Sequence, residues 1–405
     1  MRIAYVCADP GIPVFGSKGA SVHVRELCRA LAELGHEVAV FTPRPDGPRP
    51  DGFAPEVVEL EPDDGDEAAA VLLARDPACG AAAAREVRSL LYAAATRRRL
   101  AAALRDFGAD IVYERYALLA TSGAWAARAL DVPHILEVNA PLSAEQAAHR
   151  GLAFAVPARA LERRLIREAD RVVAVSTALE RWLAANGVDP GRIAVVPNAV
   201  DPERFAGARR PVAVDGAAVV GFVGTLKPWH DVASLIRAVA LLSCAGMRLR
   251  LLVVGDGPER PALEALARAE RLQASFVGSV AHDEVPGYVA AFDAAVVPYA
   301  SAEDFYFSPL KLFECLAAGR PVVAADVGDV GCCIRHGRTG LLYPPGDVSD
   351  LAHGLLALLV DPVRAAALAA AGRAHVRGHH TWARNAAAVV ALARAARGER
   401  RGVAA

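Results

Sequence analysis

Seven consecutive residues, Ser308-Pro309-Leu310-Lys311-Leu312-Phe313-Glu314, have the makings of an anion site. Ser followed by Pro is a strong helix start, with Ser308 expected at the N-cap and Pro309 at the first helical position. A helix N-terminus carries partial positive charge and unpaired N–H groups, which favour negative ligands. Three places after Ser308 the chain has Lys311, not the acidic residue that usually closes such a turn. Lysine there opposes the helix dipole unless an anion binds as well. Glu314 lies one turn on, on the same face as Lys311. The segment therefore offers N–H groups and an ammonium to a phosphate, and a carboxylate to a sugar diol. The plain alternative is a surface helix on which Lys311 and Glu314 merely pair.

Of 45 basic residues only three are lysine: Lys18, Lys227 and Lys311. A chain that takes Arg for its generic cations keeps Lys where a compact point charge is wanted. Each of the three falls in a Gly- or Pro-containing stretch at the expected carboxyl end of a strand.

The elements that must position these groups follow from the apolar pattern. Arg2 to Cys7 is a buried first strand, and Ala20 to Leu34 is a helix stopped by Gly35. Val38 to Phe41 is a second strand, so the unit is strand–loop–helix–strand and the sheet is parallel. Pro43 to Gly65 is Pro- and Asp-rich and is expected as surface loop, and Ala68 to Arg105 as helical. Further strands are expected at 111–113, 135–138, 172–175 and 193–196. Ala206 to Gly216 has the composition of an interdomain linker. After it the pattern restarts, with strands at 219–223, 249–254, 276–277, 294–297 and 322–324. The fold class is α/β, with two doubly wound Rossmann-like domains facing across a cleft. The expected domains are 1–207 and 208–380, with the terminal helix (381–405) packing back on the first. Ligands of such sheets sit outside the carboxyl ends of the strands.

Length favours two or three domains. The net charge of −1 argues against nucleic acid as a partner. No apolar run approaches the ~20 residues that cross a bilayer, and the opening apolar stretch is too short for a signal peptide. A cytoplasmic protein is expected. Arg97-Arg98-Arg99 offers weak peripheral membrane contact at most, and a solvated helix end is the plainer account. The seven cysteines include no C-x-x-C, so Cys332-Cys333 with His336 is taken as incidental; neither metal nor resident cofactor is expected.

Four segments in this order and spacing resemble glycosyltransferase family 4, retaining nucleotide-sugar transferases of GT-B fold. They are Val196 to Asp201, Val253 to Pro258, Ser308 to Gly319 and Gly337 to Asp347. The resemblance runs from Met1 to about Val390. It implies that the second domain binds the donor and the first the acceptor. Glu314 matches the second Glu of a Glu–seven residues–Glu motif that holds the donor ribose; the first Glu falls on Tyr306. The family's diphosphate-clamping Arg and Lys fall on Thr225 and His230, leaving Lys227, with Lys311, for that task. An acceptor-side His falls on Asn139, which hydrogen-bonds a hydroxyl but takes no proton at neutral pH. The segment around Val277 and Val280 matches one whose backbone contacts the base. The Gly16 to His23 loop matches a Gly-rich loop whose backbone approaches the sugar closely.

The catalytic candidates are thus Lys227, Lys311, His23 and Asn139. Donor contacts are expected from Gly16, Gly19, Gly224, Gly255, Val277, Val280, Tyr306, Ser308, Pro309, Leu310 and Glu314. Lys18 and Arg115 are expected on the acceptor side. The implied reaction moves a sugar from a UDP- or GDP-sugar to a hydroxyl of a small-molecule, lipid-linked or glycan acceptor. It retains anomeric configuration and is expected to need no metal, since none of the four motif segments carries an Asp-x-Asp. Two rivals remain at this stage. An epimerase on the same fold would need acid/base carboxylates, for which Asp256 and Glu303 are the candidates. A non-catalytic sugar-nucleotide-binding protein would account for the departures at Tyr306, Thr225, His230 and Asn139.

Overall fold

The computed structural model describes residues 1–61, 68, 71, 72, 75, 80–208, 216–300 and 305–403. The chain divides into two compact units. One is Met1–Pro197 with the segment from Ala383 onward, and the other is Asn198–Trp382.

The first unit is a seven-stranded parallel sheet. Its strands are β1 (Arg2–Cys7), β2 (Glu37–Thr42), β3 (Glu56–Glu59), β4 (Ile111–Arg115), β5 (His134–Val138), β6 (Arg171–Ala174) and β7 (Ile193–Val195). The order is β3-β2-β1-β4-β5-β6-β7. Short Val/Ile/Ala runs suffice because strands of such a sheet are covered on both faces. Every residue of β4 and β5 is buried. The order reverses between β1 and β4, where Cys7 pairs in register with Arg115, and Arg115 in turn with Glu137. Three ionisable side chains are thereby brought to adjacent strand ends.

The second unit repeats the plan with six strands. They are β8 (Ala218–Val223), β9 (Leu249–Val254), β10 (Ala274–Gly278), β11 (Ala294–Val297), β12 (Val322–Ala325) and β13 (Leu341–Tyr343). The order is β10-β9-β8-β11-β12-β13, so the reversal lies between β8 and β11. Its core includes Phe222, Phe292, Tyr299, Phe313 and Tyr343, each at most 2% exposed.

Several expectations need revision. The 43–65 stretch holds an edge strand, β3, pairing in parallel with β2. Four residues, Glu-Val-Val-Glu between Pro55 and Leu60-Glu61-Pro62, are too few to reveal a period. The strand β13 was also not foreseen, because Leu341–Tyr343 is only three residues long. The helix over Gly80–Phe107 lies within the expected 68–105 stretch at its start, but much of 68–79 lies outside the described residues. The division between units falls at 197/198 rather than 207/208. Residues after Pro197 belong to the second unit because Val200 bridges to Thr381 and both Val200 and Phe205 enter its core. Of the expected linker, residues 209–215 lie outside the described residues. The terminal helix Trp382–Val403 is tied into the first unit by Arg397 to Asp110 and Arg400 to Asp170, at 2.8 and 2.9 Å. Among the described residues no single helix is long and apolar enough to cross a membrane.

Candidate active site

In the second unit the loops after β8, β9 and β10 lie backbone against backbone. Gly224 N–H donates to Val254 O, Leu226 N–H to Asp256 O, and Gly255 N–H to Gly278 O, at 2.8–2.9 Å. Glycine is required at Gly255: its φ is +135°, and a Cβ there would stand 2.0 Å from the Gly224 carbonyl oxygen. Behind this floor the Arg260 guanidinium reaches Asp256 and the Phe276 carbonyl oxygen. The exposed edge of β10 presents Val277, with Val280 half-buried beyond it.

Lys311 sits at the point where this sheet reverses. Its Nζ is 4.7 Å from the ring centre of Phe222, the penultimate residue of β8, and 5.1 Å from that of Tyr299, just past β11. A Cβ on Gly224 would stand 3.0 Å from the same Nζ, so the ammonium lies directly under the loop. Lys311 is 8% exposed, and its Nζ has no hydrogen-bond partner among the described residues. Burial pushes its ammonium down to about 7, although Cys315 and Glu314 nearby pull the other way. The aromatic faces offset part of the desolvation, roughly 0.5–2 kcal/mol. The plain alternative, a surface pair of Lys311 with Glu314, does not form, since Lys311 is buried and Glu314 pairs with His282.

His230 is neutral here. Burial, with the Lys311 charge next, holds its imidazole far below the ordinary range, and its Nδ1–H donates to the Thr225 carbonyl. Positive charge at this edge therefore falls to Lys311 and Lys227. The latter is half-buried, with Nζ 5.7 Å from the Trp229 ring centre. Trp229 stacks on Phe307 at 5.9 Å, and Tyr306, where the family motif has Glu, joins the same aromatic group.

Ser308 does not cap a helix. The helix spans Leu310–Ala317, with Pro309 in the N-cap position and no side-chain cap. The Ser308 hydroxyl instead accepts from Asn198 N–H at 2.8 Å, while the Asn198 amide donates to Ser308 O at 2.7 Å. This distant pairing takes the hydroxyl that local propensity assigned to the cap. Glu314 is partly exposed on the helix; its Oε1 accepts from His282 Nε2–H at 3.1 Å. Glu303 lies outside the described residues.

The carboxyl edge of the first sheet is built differently. Glu137, 1% exposed, accepts from four side chains: His23 Nε2–H at 2.8 Å, Tyr113 Oη–H at 2.5 Å, Arg115 Nη1–H at 2.8 Å and Asn139 Nδ2–H at 2.6 Å. Burial alone would raise this carboxyl, but the charge and hydrogen bond of His23, with Arg115 and Asn139, hold it well below the usual range. His23, Asn139 and Arg115 are thus gathered on one carboxylate that sequence reasoning passed over. Arg115 is 9% exposed and is a member of this cluster, not an open acceptor-side cation. Lys18 Nζ donates to the Gly11 carbonyl at 2.8 Å and staples the loop. Arg25 Nη1 braces the same loop through the Val14 and Gly16 carbonyls, and Gly19 is exposed as the first residue of its helix.

A cavity of about 520 Å³ opens beside this edge, lined in part by Pro10, Arg44, Arg88, Tyr92, Leu119 and Leu142. A larger hollow of about 890 Å³ in the second unit borders Ala218, Asp293 and Pro321. Those residues open or precede strands β8, β11 and β12, so it lies at the edge opposite to where such sheets bind ligands.

Two doubly wound parallel-sheet units, each with its polar groups gathered at the strand carboxyl ends, define the GT-B class. Residues 17–204 match Glycosyltransferase Family 4, and residues 217–361 match Glycosyl transferases group 1. A D-inositol 3-phosphate glycosyltransferase from Kribbella flavida is 32% identical over 386 residues, covering 89% of this chain and 87% of the relative. A glycogen synthase from Mycobacterium tuberculosis is 29% identical over 423 residues, covering 99% and 96%. The structure of Anabaena Alr3699/HepE in complex with UDP and glucose shares the fold, with a TM-score of 0.71 at 20% identity over 96% of this chain and 98% of that one. The chain belongs to glycosyltransferase family 4 and is a glycosyltransferase.

Proposed function

We propose that the protein transfers a hexosyl group from a nucleoside-diphosphate sugar, UDP- or GDP-linked, to an acceptor hydroxyl with retention of anomeric configuration. The observation that carries this reading is Lys311: a buried ammonium with no hydrogen-bond partner among the described residues, under the Gly224 loop at the sheet reversal. A buried cation without a counter-charge is destabilising, and a bound diphosphate supplies that charge. When the sugar–oxygen bond breaks, negative charge grows on the departing phosphate. Lys311, with Lys227, stabilises it, and a preorganised donor of this kind contributes about 3–4 kcal/mol. Charge neutralisation by lysine is the role a metal would otherwise fill, so the reaction is expected to proceed with EDTA present.

The remaining groups have their places in this scheme. Glu314 takes the ribose hydroxyls, and the Val277–Val280 segment contacts the base. Tyr306 and its aromatic neighbours border the sugar. The first unit's cluster and cavity serve the acceptor, a small molecule, lipid-linked sugar or glycan. Among the described residues no carboxylate is placed as a nucleophile, and attack on the face the diphosphate leaves, assisted by its oxygen, accounts for retention. The HepE complex supports a UDP-type donor.

Thermal melting with UDP, GDP, ADP, CDP and dTDP, each with and without EDTA, tests the donor. One diphosphate at about 100 times its Kd adds ~2.7 kcal/mol, a shift of several degrees. No shift with any of the five overturns the reading.

A further inference from the structure

Glu314 is not held by its own helix. Its Oε1 meets Nε2 of His282, 32 residues away in the turn that follows β10, and the other face of that imidazole meets Arg204. The three side chains are 12%, 14% and 17% exposed. The turn carrying His282 is itself fixed. Ala281 N–H donates to Glu284 Oε2 at 3.0 Å, and Glu284 N–H to Ala281 O at 3.0 Å.

The chemistry of the three groups sets the direction of the chain. A guanidinium only donates, so the 2.8 Å contact from Arg204 Nη1 requires a lone pair on His282 Nδ1. The ring proton is then on Nε2 and points to the Glu314 carboxylate. Arg204 thereby selects the tautomer, and the tautomer selects which carboxylate oxygen is occupied. Glu314 Oε2 makes no hydrogen bond among the described residues. A free glutamate samples several rotamers, and ordering one on binding lowers affinity. Here the rotamer is fixed before a ligand arrives, with one oxygen taken and one open.

We propose that His282, oriented by Arg204, is a positioning residue for the donor nucleotide: it locks Glu314 so that Oε2 accepts from the ribose hydroxyls. This rests on the reading of Glu314 as the ribose contact. It assigns work to two residues outside the motifs that identified the site. His282 touches no reacting atom, so its signature is selectivity for ribose, not the rate of sugar departure.

The test is titration of UDP, 2′-deoxy-UDP, GDP and 2′-deoxy-GDP into the full chain by calorimetry. Wild type should prefer the ribonucleotide that binds by about tenfold over its deoxy form. His282→Ala should reduce that preference to about twofold or less, mainly by weakening the ribonucleotide. His282→Gln, which keeps one donor and one acceptor, should restore most of it. Arg204→Met, which leaves the tautomer free, should fall between. A His282→Ala variant that weakens both nucleotides equally would sink the proposal and leave the histidine a loop brace. Should wild type itself not discriminate, and Glu314→Gln leave the ribonucleotide affinity unchanged, the reading of Glu314 fails and takes the proposal with it.

Discussion

The carboxyl edges of the two sheets hold similar polar groups in opposite states. In the first unit Glu137 collects four donors, and the Arg115 guanidinium faces a counter-charge. In the second unit Lys311 is also buried, with its Nζ under aromatic rings and a glycine loop and without a hydrogen-bond partner among the described residues, and Glu314 keeps one oxygen open. A satisfied buried network is rigid and stabilising, while an unsatisfied buried charge lowers stability unless a ligand completes it. The first edge is therefore a finished frame, and the second is poised for an anion. Stability and activity should respond to substitution in opposite ways at the two edges.

The largest effect is expected at the finished frame. Glu137→Gln leaves the buried Arg115 unpaired and should destabilise by about 3–5 kcal/mol, lowering the melting temperature by roughly 10 °C. A drop of under two degrees would mean that the four contacts are not a stabilising hub.

Lys311→Met should act with two signs. It should lower kcat/KM by about 100-fold or more, yet raise the melting temperature of the free protein by a few degrees, because a buried charge becomes an apolar side chain. The pH dependence follows from burial. The folded group titrates near 7, against an ordinary value of 10.5. Between those values the unfolded chain binds the extra proton, so stability of the free protein rises with pH through this group. The advantage of Lys311→Met should therefore be full below pH 7 and fade toward pH 10. Diphosphate affinity runs the other way, weakening above pH 7 as binding must take up a proton, and flattening in the variant. Unchanged turnover in Lys311→Met would remove the residue from the site and erase the contrast between the edges.

Lys227→Ala should have the smallest effect, about a tenfold loss of kcat/KM with little change in stability, since the residue is only half-buried. A loss exceeding that of Lys311→Met would make Lys227 the principal cation.

The strand segments were legible because apolar runs between Gly, Pro and Asp clusters mark buried parallel strands at short range. The shortest, Glu56–Glu59 and Leu341–Tyr343, escaped, having too few residues to carry a pattern. The proposed donor side could be singled out from its motifs, because Gly224, Gly255, Lys311 and Glu314 fall within continuous segments. The Glu137 cluster was only half visible. His23, Arg115 and Asn139 were singled out one at a time, and the carboxylate that gathers them was not. Ser308 shows local preference losing to a partner 110 residues away.

The sequence by itself determined the family, the alternation of strand and helix, and the places where a compact cation or a glycine is needed. These depend on neighbours in the chain: backbone period, turn chemistry, motif spacing. Only the tertiary structure decided, among the described residues, which lysine is buried without a hydrogen bond, which carboxylate is satisfied, and which keeps an oxygen free. Those properties arise when residues far apart in the chain share one desolvated volume, where the value of a charge depends on what stands beside it.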